Sequence, residues 1–423
     1  MRRAPALLNV SMLLFVFLVR AASSHAVEWP QFRGIGGLGT VQVKSLPVEW
    51  DDDTNIVWKE KLLGPGGSSP ILFKDAIYLT CYTGFNVPGE EGREEDLQRH
   101  LVRLDRKTGK QKWATPHNAR LPEQERIRDD HGYATSTPAV DNDRVYVFYG
   151  KSGVHAYDHN GKHVWEADVG ERLNGWGSAA SPILHNDLVI VNASIESDSL
   201  YALDRKTGKQ KWRAKGIKEA WNTPVLVKTP GGKTELVVAI FRKILAFDPD
   251  TGDELWSCDT GIDWYMVPGL VASEGVIYCI GGRSGGSLAI KAGGKGDVTE
   301  THRLWTGKKG SNVSSPILTN GLLFWANDAQ GIACCAEAKS GKLLYEERLP
   351  RAGQVYASAA FGDGKIYYTN RTGKTYVVAA KPEFEILATN DLNDRSLFHA
   401  SPVLDDGRVY IRSNKFLYCI GSK

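Results

Sequence analysis

The chain has 423 residues, 42% of them apolar, and is rich in Gly (44), Trp (12) and Tyr (16) but poor in Met (3). That mix suits many turns and many large rigid packing residues, as in β architectures. The net charge of +3 comes from Arg2, Arg3 and Arg20, without which 49 basic residues balance 49 acidic ones, and this excludes nucleic acid as a general partner.

Residues 1–26 read as a signal peptide. Arg2 and Arg3 precede an apolar run from Leu7 to Val19 that is too short to anchor in a bilayer, and Ser24-His25-Ala26 offers small residues for cleavage before Val27. A periplasmic or secreted protein is expected, with no integral membrane segment after cleavage. Residues 27–54 form an N-terminal extension.

From residue 55 the chain repeats. Asp105 to Trp113 and Asp204 to Trp212 are the same nine residues, DRKTGKQKW. Related turns run from Asp158 to Trp165, from Asp248 to Trp256 and from Glu337 to Tyr345. In such a turn the acid accepts bonds from turn amides, Gly takes a backbone angle that other residues resist, and the Trp buries a wide face on the next strand. A small residue and a Pro, followed by an apolar strand, precede each turn. The markers are Pro70, Pro138, Pro182, Pro224, Pro268, Pro316, Ala359 in place of Pro, and Pro402. Their spacing settles near 43 residues, with four short strands per unit, which is the signature of a propeller blade. Eight markers predict an all-β, eight-bladed β-propeller of four-stranded antiparallel blades over residues 55–423. The last unit lacks its outer strand, and residues 55–62, with Trp58 twelve residues before Pro70, supply it and close the ring. Trp58, Trp113, Trp165, Trp212, Trp256 and Trp305 are the expected blade-docking residues.

The segment Ala202 to Trp212 fits the pattern A-x-D-x-x-T-G-x-x-x-W, as does Ala246 to Trp256. This resembles the tryptophan-docking repeat of the quinoprotein-like (pyrroloquinoline quinone repeat) β-propeller family. Trp29 to Gly34, WPQFRG, is similar to the opening of exported bacterial members. The resemblance implies the propeller fold and either of two trades. One is non-catalytic scaffolding through protein contacts. The other is dehydrogenation of alcohols or sugars with pyrroloquinoline quinone and Ca²⁺ in the channel. Some dehydrogenases of the family carry an adjacent-cysteine disulfide over the quinone. Here Cys334-Cys335 falls inside a third strand, where neighbouring side chains point to opposite faces and an adjacent disulfide would distort the strand.

In each blade the second-to-third turn and the blade-to-blade connection share one face. Both long insertions, Gly84 to Arg99 and Pro116 to Thr135, fall there, so that face is the expected ligand or partner surface. The connections bring Tyr133, Trp176, Trp221, Trp264, Tyr356, Phe398 and His399 toward the central opening, where rings either stack a flat ligand or a side chain or else plug the channel. Arg283, Asn327, Asp328 and Arg371 are polar candidates on the same face, and Asp328 with Asn327 is the best partial Ca²⁺ set.

Other constellations carry less. Cys81, Cys258, Cys279, Cys334, Cys335 and Cys419 lack C-x-x-C spacing and read as buried thiols, mostly in apolar strands. His155, His159 and His163 have helical metal-ligand spacing but fall on a strand, a turn and the next strand, so no metal site is expected there. Asp129-Asp130-His131 reads as a solvated loop end. No G-x-S-x-G, H-E-x-x-H or P-loop pattern occurs. The expectation is a non-catalytic binding or scaffolding module with no catalytic residues, no resident cofactor and an unidentified protein, small-molecule or carbohydrate partner. The alternative is a quinone-dependent dehydrogenase.

Overall fold

The computed structural model describes residues 27–124, 132–283 and 285–422. Residues 1–26, the expected signal peptide, and Asp129-Asp130-His131 lie outside the described residues.

Eight antiparallel sheets of four strands stand in a ring. Blade 1 runs Ile71–Phe73, Ala76–Thr83, Gln98–Asp105 and Gln111–Asn118 from the channel outward. The other blades repeat this order at the predicted period. Blade 4 gains a fifth, parallel strand, Gly296–Asp297, from the long connection inside blade 5. Blade 8 combines Val403–Asp405, Arg408–Arg412 and Phe416–Ile420 with Ile56–Lys61, so the N-terminal strand closes the ring. The second strands are buried on both sides because each is sandwiched between neighbouring blades; Leu188–Ala193 is buried at every position.

The repeated turn behaves as its chemistry requires. Asp204 Oδ1 accepts from the amides of Lys206 and Thr207 and from the Thr207 hydroxyl. The Thr207 hydroxyl first, then the Lys211 ammonium and the Thr207 amide, hold its carboxyl down to about 2. Gly208 takes φ +72° and lies flat under Trp165 of the preceding blade, where an added Cβ would stand 2.6 Å from the ring. Trp165 Nε1 donates to Arg205 O in the same turn at 3.1 Å. The same seat recurs for Trp58 on Gly109, Trp113 on Gly161, Trp212 on Gly252 and Trp305 on Gly341. Trp256 is fully buried and donates instead to Glu235 Oε2 at 2.9 Å. Its seat differs because blade 5 replaces the tight turn with the longer run through Ala292 and Gly293.

Two details depart from the sequence reading. In blade 5 the inner strand is Val271–Ser273, so Leu270 holds the marker position and Pro268 lies two residues early, still in the connection. In blade 7 the outer strand carries Ala388, paired with Val377, where other blades carry an aromatic residue. Trp50 of the extension fills the gap. It is buried, stacks on Tyr367 at 6.3 Å, and takes its backbone bond from Asn390 Oδ1 at 2.9 Å. Tyr367 thus meets Trp50 much as Tyr146 of blade 2 meets that blade's own Trp165.

All six cysteines are free and buried. Cys334 packs into the blade 5–6 interface and Cys335 into the blade 6–7 interface, on opposite faces of one strand.

Candidate functional site: the mouth of the central channel

The position two residues before each inner strand lies at the channel. In seven blades it carries a hydroxyl, and these join in a belt. The Ser69 amide donates to Thr137 Oγ1, Thr137 to Ser181 Oγ, and Ser181 to Thr223 Oγ1, each at 3.0 Å. The belt resumes with Gly269 N to Ser315 Oγ, then Ser358, Ser401 and back to Ser69, at 2.9–3.1 Å. Blade 5 has Gly269 in this position and so offers Thr223 no hydroxyl. The belt satisfies buried strand-end amides and ties each blade to the next. The small residue before the Pro was the sequence signal for it.

The belt residues line a cavity of about 100 Å³ in the channel, with Trp221, Tyr356 and His399 also among its walls and Phe32 reaching it. Phe32 belongs to a segment that crosses the channel on the inner strands. Trp29 bridges Leu72, Pro30 O accepts from Val140 N, and Thr40 bridges Phe361. Arg33, 2% exposed, donates to Gly37 O and Leu38 O and to Pro316 O. Burial lowers its guanidinium to about 9. The WPQFRG opening is therefore a plug, a role its sequence alone did not reveal.

The aromatic candidates divide. Trp176, Trp221 and Trp264 gather around Tyr265, with ring centroids 6.1, 5.3 and 5.0 Å from it, and Arg283 caps Trp264 at 5.9 Å. Arg371 lies over Tyr356 at 4.9 Å and donates to Gln354 Oε1 at 2.7 Å. These two clusters are partly exposed beside the mouth. Phe398 instead is fully buried in the core against Gly373. Tyr133 is buried beside Tyr82, accepts from Asn86 Nδ2 at 3.0 Å and donates to Gln124 O at 2.7 Å. It fastens one insertion to the other. A buried ion pair of 2.6 Å between Arg99 and Glu123 does the same. Asp328 is buried and accepts from Ser311 Oγ at 3.0 Å and from the Asn312 amide at 2.6 Å, while Asn327 Oδ1 accepts from Gln330 N. Asn327 thus holds its own turn, while Asp328 fastens that turn to the connection between blades 5 and 6.

With this geometry in view, the comparisons with known proteins place the fold. A family model described as outer membrane protein assembly factor BamB matches residues 97–344, well over half of the chain. The chain belongs to that family of quinoprotein-like repeat propellers. No curated protein matches the sequence. Among solved structures, BamB from Moraxella catarrhalis is similar at 14% identity and a TM-score of 0.62, covering 87% of this chain and 97% of its own. Quinohemoprotein alcohol dehydrogenase from Comamonas testosteroni gives 12% identity and a TM-score of 0.67, with coverage of 94% and 81%. A europium-containing methanol dehydrogenase gives 11% and 0.67, with coverage of 93% and 98%. Identities this low carry the fold alone.

Proposed function

We propose that this is an exported, non-catalytic propeller that binds a partner protein or ligand through the insertion-bearing face. The observation that carries the reading is how the channel mouth is spent. Its hydroxyls already accept blade-to-blade bonds, and its best carboxylate, Asp328, is buried and already bonded to Ser311 and Asn312 of the connection between blades 5 and 6. What remains accessible is a surface of rings with Arg283 and Arg371 beside them, a composition suited to docking side chains. No helix among the described residues is long and apolar enough to cross a membrane.

The family also implies pyrroloquinoline quinone with Ca²⁺, so the residues are tested against that group. A tricyclic quinone needs a pocket of at least about 300 Å³, whereas the cavity here is about 100 Å³. Ca²⁺ takes six to eight oxygen ligands, several from carboxylates, and among the described residues no carboxylate lines this cavity. The channel residues do not fit the group. The dehydrogenase remains the second reading on one observation, the aromatic ring cluster at the mouth.

The deciding experiment adds pyrroloquinoline quinone and Ca²⁺ to the purified protein and follows binding and dye-linked oxidation of alcohols and aldoses. Neither uptake nor turnover is expected. Stoichiometric uptake with substrate-dependent dye reduction, lost in Asp328→Ala, would establish the dehydrogenase instead.

A further inference from the structure

The third strand of blade 2, Val154–Tyr157, pairs with its outer strand, His163–Ala167, so that His155 stands opposite Glu166 and Tyr157 opposite His163. Residues three apart on a regular strand face opposite sides. Val164 is the extra residue of a bulge between these pairs, and the bulge restores His163 to the face that carries Glu166. The donor atoms of His155, His163 and Glu166 all lie within 4.8 Å of one another. His159, the middle member of the helical spacing, is elsewhere. It sits in the turn, with Nδ1 2.9 Å from the Tyr78 hydroxyl.

We propose that His155, His163 and Glu166 bind one divalent transition-metal ion of the zinc class, with the fourth position open to water. Two atoms each about 2.05 Å from zinc at a tetrahedral angle lie about 3.3 Å apart. His155 Nδ1 and His163 Nε2 are 3.2 Å apart. Glu166 Oε2 is 3.8 Å from His155 Nδ1 on a side chain that is 67% exposed, so a rotation brings it in. His155 Nε2 lies 2.8 Å from Ser152 O. That ring nitrogen donates its proton there and leaves the Nδ1 lone pair facing the other two donors, as a ligating imidazole requires. His117 of blade 1 packs its ring 4.0 Å from that of His155, and Tyr157 meets the His163 ring edge-on at 5.2 Å, so both imidazoles are held. Two imidazoles and one carboxylate suit Zn²⁺, Ni²⁺ or Cu²⁺ and not Mg²⁺ or Ca²⁺. The site lies on the third and outer strands of blade 2, apart from the channel cavity, and stands independently of the scaffold reading.

The test uses untagged protein carrying residues 27–423, freed of metal by chelation and titrated with Co²⁺ and Zn²⁺. One equivalent of Co²⁺ should bind with the intense ligand-field bands of a tetrahedral centre, and Zn²⁺ should displace it while Ca²⁺ does not. His163→Ala, at an exposed position, should weaken binding at least 100-fold with unchanged circular dichroism, and Glu166→Gln about tenfold. His302→Ala, at an unrelated half-buried histidine, should bind as the native chain does. Failure of the native chain to bind Zn²⁺ at about 100 μM, or uptake unchanged in His163→Ala, would overturn the proposal.

Discussion

Glu196 shows how a single buried group sets a pH response. It lies in the short helix Ser194–Ser197, 2% exposed, with the Ser178 hydroxyl donating to Oε1 and no hydrogen-bond partner for Oε2 among the described residues. Burial pushes its carboxyl up to about 7, with help from Glu123 and against the Ser178 bond and Arg172. The folded state therefore holds this proton more tightly than the unfolded chain, whose carboxyl titrates near 4.5. Its contribution is fully present below the unfolded value and is lost as pH rises through about 7. Glu196→Gln should remove that loss, so its stability relative to the native chain should rise between pH 4.5 and 8 by up to about 3 kcal/mol. Urea midpoints at both pH values check this, and an equal difference at both would mean the carboxyl is hydrated in the folded state.

At the scale of the element, the Trp-on-glycine seat joins one blade to the next. Trp212 is 7% exposed, donates to Pro249 O at 3.0 Å and covers Gly252. Trp212→Ala should cost about 3–5 kcal/mol, as for large aromatic core truncations. Gly252 has φ +78°, and a Cβ there would stand 2.6 Å from the Trp212 ring, so Gly252→Ala should cost about 2 kcal/mol through strain and overpacking. The double variant should lose less than the sum of the two, because removing the ring removes the clash. Denaturation midpoints of the three proteins measure this, and strict additivity would separate the glycine from the ring. These turns were legible because Asp, Thr, Gly and Trp act within nine residues. The blade 5 marker was not. A strand start is set by its amide reaching the next blade's hydroxyl, and here that amide is Gly269, whatever Pro268 suggests.

For the whole molecule, closure concentrates in residues 27–62. They supply the outer strand of blade 8, Trp58 over Gly109, Trp50 beside Ala388 and the channel plug. Arg106 also meets Asp405 at 2.7 Å, and the buried Arg412 donates to Ser68 O and Thr80 O, so blade 8 grips blade 1 twice more. Deleting residues 27–62 should abolish a single cooperative unfolding transition, since it opens a sheet edge and uncovers the core. The narrower test is Trp50→Ala, expected to lower stability by about 3–5 kcal/mol in chemical denaturation. An unchanged midpoint would mean that Trp50 does not bridge blades 7 and 8.

The period, the eight blades, the closing strand and the face that bears the insertions were legible in the residues alone. Each of these follows from turn chemistry and strand alternation, which are local and recur. What depends on residues brought together from afar became visible only in the folded ring. Trp50 could be assigned only once the ring set it beside Tyr367, and WPQFRG became a plug only when its chain met the inner strands of blades 1, 2 and 7. Tyr133 and Phe398 shared the connections with Trp264, yet packing turned them inward. His155, His163 and Glu166 met through one extra residue in a strand, and a bulge of that kind reverses which face a side chain takes without leaving a mark in the spacing.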